Sequence, residues 1–238
     1  MAITKSNNNS NNVLQKSHRV GGGLPALHQR VLAQADKPID LTAKPNRVAL
    51  ICDNSGSMSA MDDYNVEKSR IEYLREAVQS FLQTCNPDDT EIAIYNFGGK
   101  DEDDHRLGTD FGTLTVCALT MQAQGGTPMG WGMEKALREP LSRAVLISDG
   151  EATDGDASYE QAETFRAAQV PVDCIHIGPT ESGEARLRRI AELTGGIYIK
   201  FKDVAQLATK LHYLTPAYRG LLCDKNEAKL LLGADEVD

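Results

Sequence analysis

Five consecutive apolar residues, Val48–Cys52, run directly into the acidic residue Asp53. A strand with apolar side chains on both faces must be covered on both faces, as happens in parallel sheets that are flanked by helices. The following segment, Val66–Cys85, has apolar residues at helical spacing and predicts an amphipathic helix. The central part of the chain therefore opens with a buried strand and a helix that packs against it.

The same alternation continues toward the C-terminus. Strands are predicted at Glu91–Phe97, Thr113–Met121, Ala144–Ser148, Val172–Ile177 and Ile197–Phe201, and helices at residues 129–139, 158–169, 184–194 and 203–214. Alternation of this kind predicts a doubly wound α/β fold, with a mainly parallel six-stranded sheet and helices on both faces. The strands at Glu91–Phe97 and Thr113–Met121 are expected to pair antiparallel at one edge of the sheet.

Composition divides the chain around this core. Residues 1–22 are rich in Asn, Ser and Lys and are expected to form a disordered tail, and residues 23–45 an arm and connector. The α/β domain is expected at residues 46–215. Residues 216–238 carry two leucine clusters and are expected to form a helical tail that packs on the domain. A length of 238 residues suits one large domain better than two.

Charge and cysteine usage argue against several classes of function. The net charge is −9 and the pI is near 5.1, so the average surface repels nucleic-acid backbones and anionic membranes. We find no apolar stretch long enough to span a membrane, and the N-terminus lacks the apolar core of a secretory signal. The five cysteines are an odd number without C-x-x-C spacing, which favours a reducing, cytoplasmic location.

Polar residues follow the predicted strands at the places where an open α/β sheet binds ligands. Asp53, Ser55 and Ser57 come directly after the first strand, Asp149 follows Ala144–Ser148, and Thr127 lies in a glycine-rich loop between them. Two carboxylates and three hydroxyls form a set of hard oxygen ligands, which suits Mg²⁺, with Mn²⁺ or Ca²⁺ as alternatives, rather than zinc or copper. Such a set leaves the metal electrophilic and one position open for an external carboxylate.

Each piece of this pattern also has a structural interpretation. Asp and Ser are common caps at the start of a helix, Thr127 precedes a proline that suits a first helical turn, and Asp-Gly is a common turn. The three pieces together, each at the expected strand end, favour a metal site over separate structural roles.

The combination of D-x-S-x-S after a strand, a Thr in a glycine-rich loop and Asp-Gly after a later strand resembles the metal-ion-dependent adhesion site of von Willebrand factor A domains. The resemblance covers roughly residues 46–215 and implies the strand order 3-2-1-4-5-6, with one antiparallel edge strand. It also implies that Ser55, Ser57 and Thr127 bind the metal through their hydroxyls, and that Asp53 and Asp149 bind it directly or through water. The residues expected to form a rim that contacts the partner are Asn54, Met58, Glu151 and Trp131.

The resemblance implies a non-enzymatic module that holds a partner's Asp or Glu through the metal. The motifs G-G-T-P-M-G and S-D-G-E are similar to intracellular bacterial or viral members, including tellurite-resistance-type proteins. This similarity implies a stress-response adaptor for a MoxR-type AAA+ ATPase or another operon partner. The alternatives are a metal-dependent phosphohydrolase and a component of a nucleic-acid-binding complex. We find no nucleophile–base pair, Walker loop or basic, aromatic-interleaved patch that would favour either of them.

Overall fold

The computed structural model describes residues 46–61, 68–98, 104–200 and 236–237. The tail expected at residues 1–22, the arm at 23–45 and the helix predicted at 203–214 lie outside these residues, as does most of the tail at 216–238. Among the helices of the described ranges, none is both long enough and apolar enough to cross a membrane.

In the part of the chain that the structure describes, seven strands form one sheet in the order β3-β2-β1-β4-β5-β6-β7. Their bounds are β1 (Asn46–Asp53), β2 (Thr90–Phe97), β3 (His105–Gly108), β4 (Arg143–Ser148), β5 (Val172–His176), β6 (Tyr198–Lys200) and β7 (Glu236–Val237). The central strands β2, β1, β4, β5 and β6 are parallel, and β3 is an antiparallel edge strand. The predicted six-stranded, mainly parallel sheet and its strand order are therefore confirmed. The short strand β7 adds an antiparallel pairing to β6 at the opposite edge.

Among the described residues, five helices cover the two faces of the sheet: α1 (Arg70–Thr84), α2 (Phe111–Thr120), α3 (Met129–Ala136), α4 (Ala157–Ala167) and α5 (Glu181–Thr194). Side chains alternate along β1. Val48, Leu50 and Cys52 pack in the cluster that contains the buried residues of α1 and α2, whereas Ala49 and Ile51 pack with those of α3, α4 and α5. The apolar run in β1 is thus covered on both faces, as its sequence predicts.

The strand predicted at Thr113–Met121 is wrong, because these residues belong almost entirely to helix α2. The antiparallel edge strand is instead β3, which precedes them. Asp110 caps the helix by accepting a hydrogen bond from the Thr113 amide at 3.1 Å. The Thr115 hydroxyl turns back to the Phe111 carbonyl at 2.7 Å, which satisfies a β-branched side chain within a helix. Local propensity therefore favoured the wrong element, and packing of the helix on the sheet decided the outcome.

Helix α1 begins later than its apolar pattern suggests. Ser69 is its N-cap, and the Glu72 carboxylate accepts a hydrogen bond from the Ser69 amide at 2.7 Å, which completes a capping box. Arg70 is consequently the first helical residue, and its guanidinium lies near Asp149, just after β4.

Candidate metal site

The ends of β1 and β4 lie side by side at the centre of the sheet. Cys52 pairs with Ile147, so Asp53 and Asp149 leave neighbouring parallel strands at the same edge. Both carboxylates are buried, with exposures of 0% and 1%. The sequence-based expectation that strand ends bring these two acidic residues to one edge is met for this pair.

The β1 loop, residues 53–57, gathers three of the predicted ligands. The Ser55 amide donates to Asp53 Oδ1 at 2.9 Å, which turns the chain immediately after the strand. A 3-10 turn, Gly56–Ser59, then brings the Ser57 hydroxyl to 3.0 Å from the Ser55 hydroxyl. The loop thus presents two adjacent hydroxyl oxygens beside a buried carboxylate.

Ser148, the last residue of β4, links this loop to the β4 loop, residues 149–156. Its hydroxyl donates to Asp53 Oδ2 at 2.5 Å and accepts from the Gly150 amide at 2.9 Å. Sequence reasoning missed this residue. Its position could have indicated this role, because it ends β4, which pairs in parallel with β1.

The glycine loop, residues 124–127, packs against the β1 loop through its main chain. The Gln124 amide donates to the Asn54 carbonyl at 2.8 Å, and the Gly56 amide donates to the Gly125 carbonyl at 3.0 Å. Gly125 has φ +77°, and a Cβ there would lie 2.2 Å from the Gly98 carbonyl oxygen. Only glycine allows this approach, and it fixes the position of the chain just before Thr127.

Thr127 is also held from the side of the β4 loop. Its amide donates to the Thr153 hydroxyl at 3.0 Å, and the Thr153 amide donates to the Thr127 carbonyl at 2.9 Å. Asp154 accepts a further bond from the Gly130 amide at 2.8 Å. Neither Thr153 nor Asp154 was predicted as a supporting residue, because their partners lie in a loop that is distant in sequence. The three loops are therefore joined by hydrogen bonds of the main chain and of polar side chains.

The electrostatics of the site favour a cation. Burial and, to a smaller extent, the charge of Asp149 raise the pKa of Asp53 to about 6, although hydrogen bonds from Ser148 and Ser55 act in the opposite direction. Two buried carboxylates that repel each other are stabilised when a positive charge lies between them. The described residues contain no group of three His, Cys, Asp or Glu side chains suited to a metal, so a metal here would depend on the serine and threonine hydroxyls. This all-oxygen donor set fits Mg²⁺, Mn²⁺ or Ca²⁺.

One positive charge already lies against this site. Arg70 is buried at the start of α1, and its Nη1 atom lies 3.3 Å from Asp149 Oδ2. The sequence contains no motif that connects these two residues.

The four residues expected at the partner-contacting rim do not share one environment. Glu151 is exposed, and Trp131 is 37% exposed, with the Lys135 ammonium 4.0 Å from the centre of its ring. Asn54 and Met58 are fully buried, and Met58 packs in the core between the sheet and α1. Their assignment to the rim is therefore corrected, because a side chain beneath the loop cannot reach a partner.

Comparison with known proteins was consistent with this architecture. Residues 48–151 match the family model of the von Willebrand factor type A domain. No curated protein matches the chain.

Solved structures share the fold at low sequence identity. An aerotolerance-related membrane protein from Bacteroides fragilis NCTC 9343, with multiple mutations to serines, is 21% identical with a TM-score of 0.56, over 71% of this chain and 96% of that one. The SpRpn10 VWA domain is 17% identical with a TM-score of 0.54, over 73% and 96%. Manganese-loaded TRAP protein from Plasmodium vivax is 18% identical with a TM-score of 0.54, over 74% of each chain.

Proposed function

Starting from the fold of a von Willebrand factor type A domain, we propose that this chain is a divalent-metal-dependent protein-interaction module. The observation that carries the proposal is the convergence of buried Asp53 and Asp149 with the paired hydroxyls of Ser55 and Ser57 at one edge of the sheet. All of these groups are oxygen donors, and the sheet beneath them is apolar. Because the apolar sheet does not need a metal to fold, such an arrangement suits a metal used for binding better than a metal that holds the fold together.

The chain's own residues have distinct roles in this proposal. Asp53 and Asp149 supply the negative charge, and Ser55, Ser57 and Thr127 supply neutral oxygen ligands. Ser148, Gly125 and Thr153 hold the three loops in place through the hydrogen bonds and close contacts described above. When bound, Mg²⁺, or alternatively Mn²⁺ or Ca²⁺, would supply an electrophilic centre with a position left for an outside oxygen ligand.

A structural neighbour supports metal binding by this fold. The Plasmodium vivax TRAP protein is manganese-loaded, and it shares the architecture of this chain with a TM-score of 0.54. The proposal carries metal binding over to this chain on the strength of its own donor set, not of the neighbour's sequence, which is only 18% identical.

We propose that the partner is a protein that contributes an Asp or Glu carboxylate, which the metal would attract. Glu151 and Trp131 are the two exposed rim residues available for further contacts. A MoxR-type AAA+ ATPase or another operon partner, in a cytoplasmic stress-response setting, is the partner class implied by the sequence resemblance. A role in catalysis is not part of the proposal, and the pure protein should not turn over a phosphate ester.

The test compares metal binding and partner capture in two variants. Asp53→Ala removes a formal charge and should abolish Mg²⁺ binding in calorimetry. Thr127→Ala removes one neutral ligand and should retain measurable Mg²⁺ affinity, but it should lose most of the metal-dependent capture of partners in a tagged pull-down. Thr164→Ala, at an exposed threonine on α4, is the matched control and should behave as the wild type in both assays.

Equal capture of the same partner by wild type and Thr127→Ala, with no effect of EDTA on either, would contradict the proposal. Absence of Mg²⁺, Mn²⁺ and Ca²⁺ binding by the wild type would contradict it at an earlier step.

A further inference from the structure

A buried arginine at the start of α1 contacts the candidate metal site. The guanidinium of Arg70 pairs with Asp149 at 3.3 Å, and the two side chains are 10% and 2% exposed. The other oxygen of the carboxylate, Oδ1, accepts the Glu151 amide at 3.2 Å. Asp149 is therefore held on one side by a main-chain donor and on the other by a full positive charge.

Arg70 also connects the loops that follow three of the parallel strands. Its amide donates to the Ala60 carbonyl at 3.0 Å, just after the β1 loop. Its guanidinium packs so closely on Gly178, beyond β5, that a Cβ there would lie 3.0 Å from the guanidinium carbon. Through its amide and its side chain together, Arg70 contacts the segments that follow β1, β4 and β5.

Without a partner, a charged arginine at this position would destabilise the folded protein. The first turn of a helix repels cations through the helix dipole, and burial removes a guanidinium from water. Asp149 offsets both effects, and Asp53, which interacts electrostatically with Asp149, adds to the negative potential. Arg70 thus lies where a cation is unfavourable unless the acidic site needs one.

We infer that Arg70 is the resident counter-ion of Asp149 in the metal-free protein, and that it competes with a divalent metal for this carboxylate. The inference rests on the proposed metal site. Arg70 and a metal beside Asp149 would repel each other at short range, so the arginine lowers the metal affinity and keeps the loops folded when no metal is bound. A bound metal would then displace Arg70 from Asp149. Because Arg70 begins α1 and packs on Gly178 after β5, metal binding would affect both of these segments.

A positioning role for Arg70 would have the opposite sign. If the guanidinium only held Asp149 in a geometry ready for metal, its removal would weaken metal binding, as removal of supporting hydrogen bonds around metal ligands does, typically by about 10- to 100-fold. The direction of the change in affinity therefore separates the two roles.

The experiment uses Arg70→Gln, which removes the charge but keeps hydrogen-bond donors. By calorimetry it should bind Mg²⁺ at least about tenfold more tightly than the wild type. In EDTA its unfolding temperature should be lower, and Mg²⁺ should raise that temperature by more than it does for the wild type. Arg143→Gln is the matched control, because Arg143 forms a similarly buried pair with Asp173, at 2.8 Å, at the opposite end of β4. It should lower stability without changing the affinity for Mg²⁺.

A second measurement follows Arg70 in the wild type, so its result does not depend on the stability of Arg70→Gln. In ¹⁵N NMR spectra of the wild type, the Arg70 guanidinium signal, assigned by its loss in Arg70→Lys, should shift and lose protection from solvent exchange as Mg²⁺ is added. The signal should not respond to Mg²⁺ in Asp53→Ala.

The outcomes separate this inference from the proposed function. Unchanged or weaker Mg²⁺ binding by folded Arg70→Gln, or an Arg70 signal that ignores Mg²⁺ while the wild type binds it, would overturn the counter-ion role alone. Binding of Mg²⁺ by Arg70→Gln but not by the wild type would support that role and refute the metal-dependent function of the natural chain. If neither protein binds Mg²⁺, both ideas fail.

Discussion

Replacing Asp53 by Asn should affect stability in opposite directions with and without metal. The Asp53 carboxyl is fully buried, and its burial together with the charge of Asp149 raises its pKa from 3.8 to about 6. A raised pKa in the folded state means that the contribution of this group to stability is greatest below pH 3.8 and is lost as the pH rises through about 6. At pH 7 the metal-free protein therefore holds an ionised group in an environment that disfavours it.

The magnitude follows from the size of the rise. At about 1.36 kcal/mol for each pH unit, a rise from 3.8 to about 6 corresponds to about 3 kcal/mol. Asn has nearly the same shape and retains an acceptor for the Ser55 amide. We therefore expect Asp53→Asn to stabilise the metal-free protein at pH 7 by about 1–3 kcal/mol. The gain should shrink as the pH falls toward 4, because the wild-type carboxyl then becomes neutral as well.

Metal reverses the comparison. A ligand present at 1,000 times its Kd stabilises the folded state by about 4.1 kcal/mol, and the wild type should gain this from Mg²⁺, which exceeds the advantage of the variant without metal. Asp53→Asn lacks the charge that binds the metal and should gain nothing. Urea denaturation at pH 7 in EDTA and in Mg²⁺, repeated in EDTA at pH 4, measures all of these differences. The reasoning is refuted if the variant is less stable than the wild type in EDTA at pH 7, or if Mg²⁺ stabilises both proteins equally.

Two further predictions concern the structure around the site. Gly183→Ala should destabilise the protein by about 2 kcal/mol or more and weaken Mg²⁺ binding, because a Cβ there would lie 1.9 Å from the Asp149 carbonyl oxygen. Urea denaturation measures the change in stability, and calorimetry measures the change in Mg²⁺ affinity. The thiols of Cys52 and Cys174 should resist iodoacetamide at pH 8 in the native protein and react only after unfolding, because burial raises the pKa of both. Peptide mass spectrometry checks this, and modification of either thiol in the native state would contradict it.

The sheet was predictable because its signals are local. The apolar run Val48–Cys52 requires cover on both faces whatever follows it, and the structure covers both. The segment Thr113–Met121 was misassigned for a related reason. Its β-branched residues favour a strand locally, while the cap from Asp110 and the burial of Leu114 against the sheet stabilise a helix. Only the packing of neighbouring elements could decide between them.

The sequence by itself determined the alternation of strands and helices and the candidate ligands Asp53, Ser55, Ser57, Thr127 and Asp149, since periodicity and motif spacing are properties of short segments. The tertiary structure decided which other side chains contact those ligands. The hydroxyl of Ser148 reaches Asp53 across 95 residues of sequence, and the guanidinium of Arg70 reaches Asp149 across 79. Hydrogen bonds and charge pairs of this range depend on strand register and helix placement. No short segment encodes such contacts, and they exist only once the chain has folded.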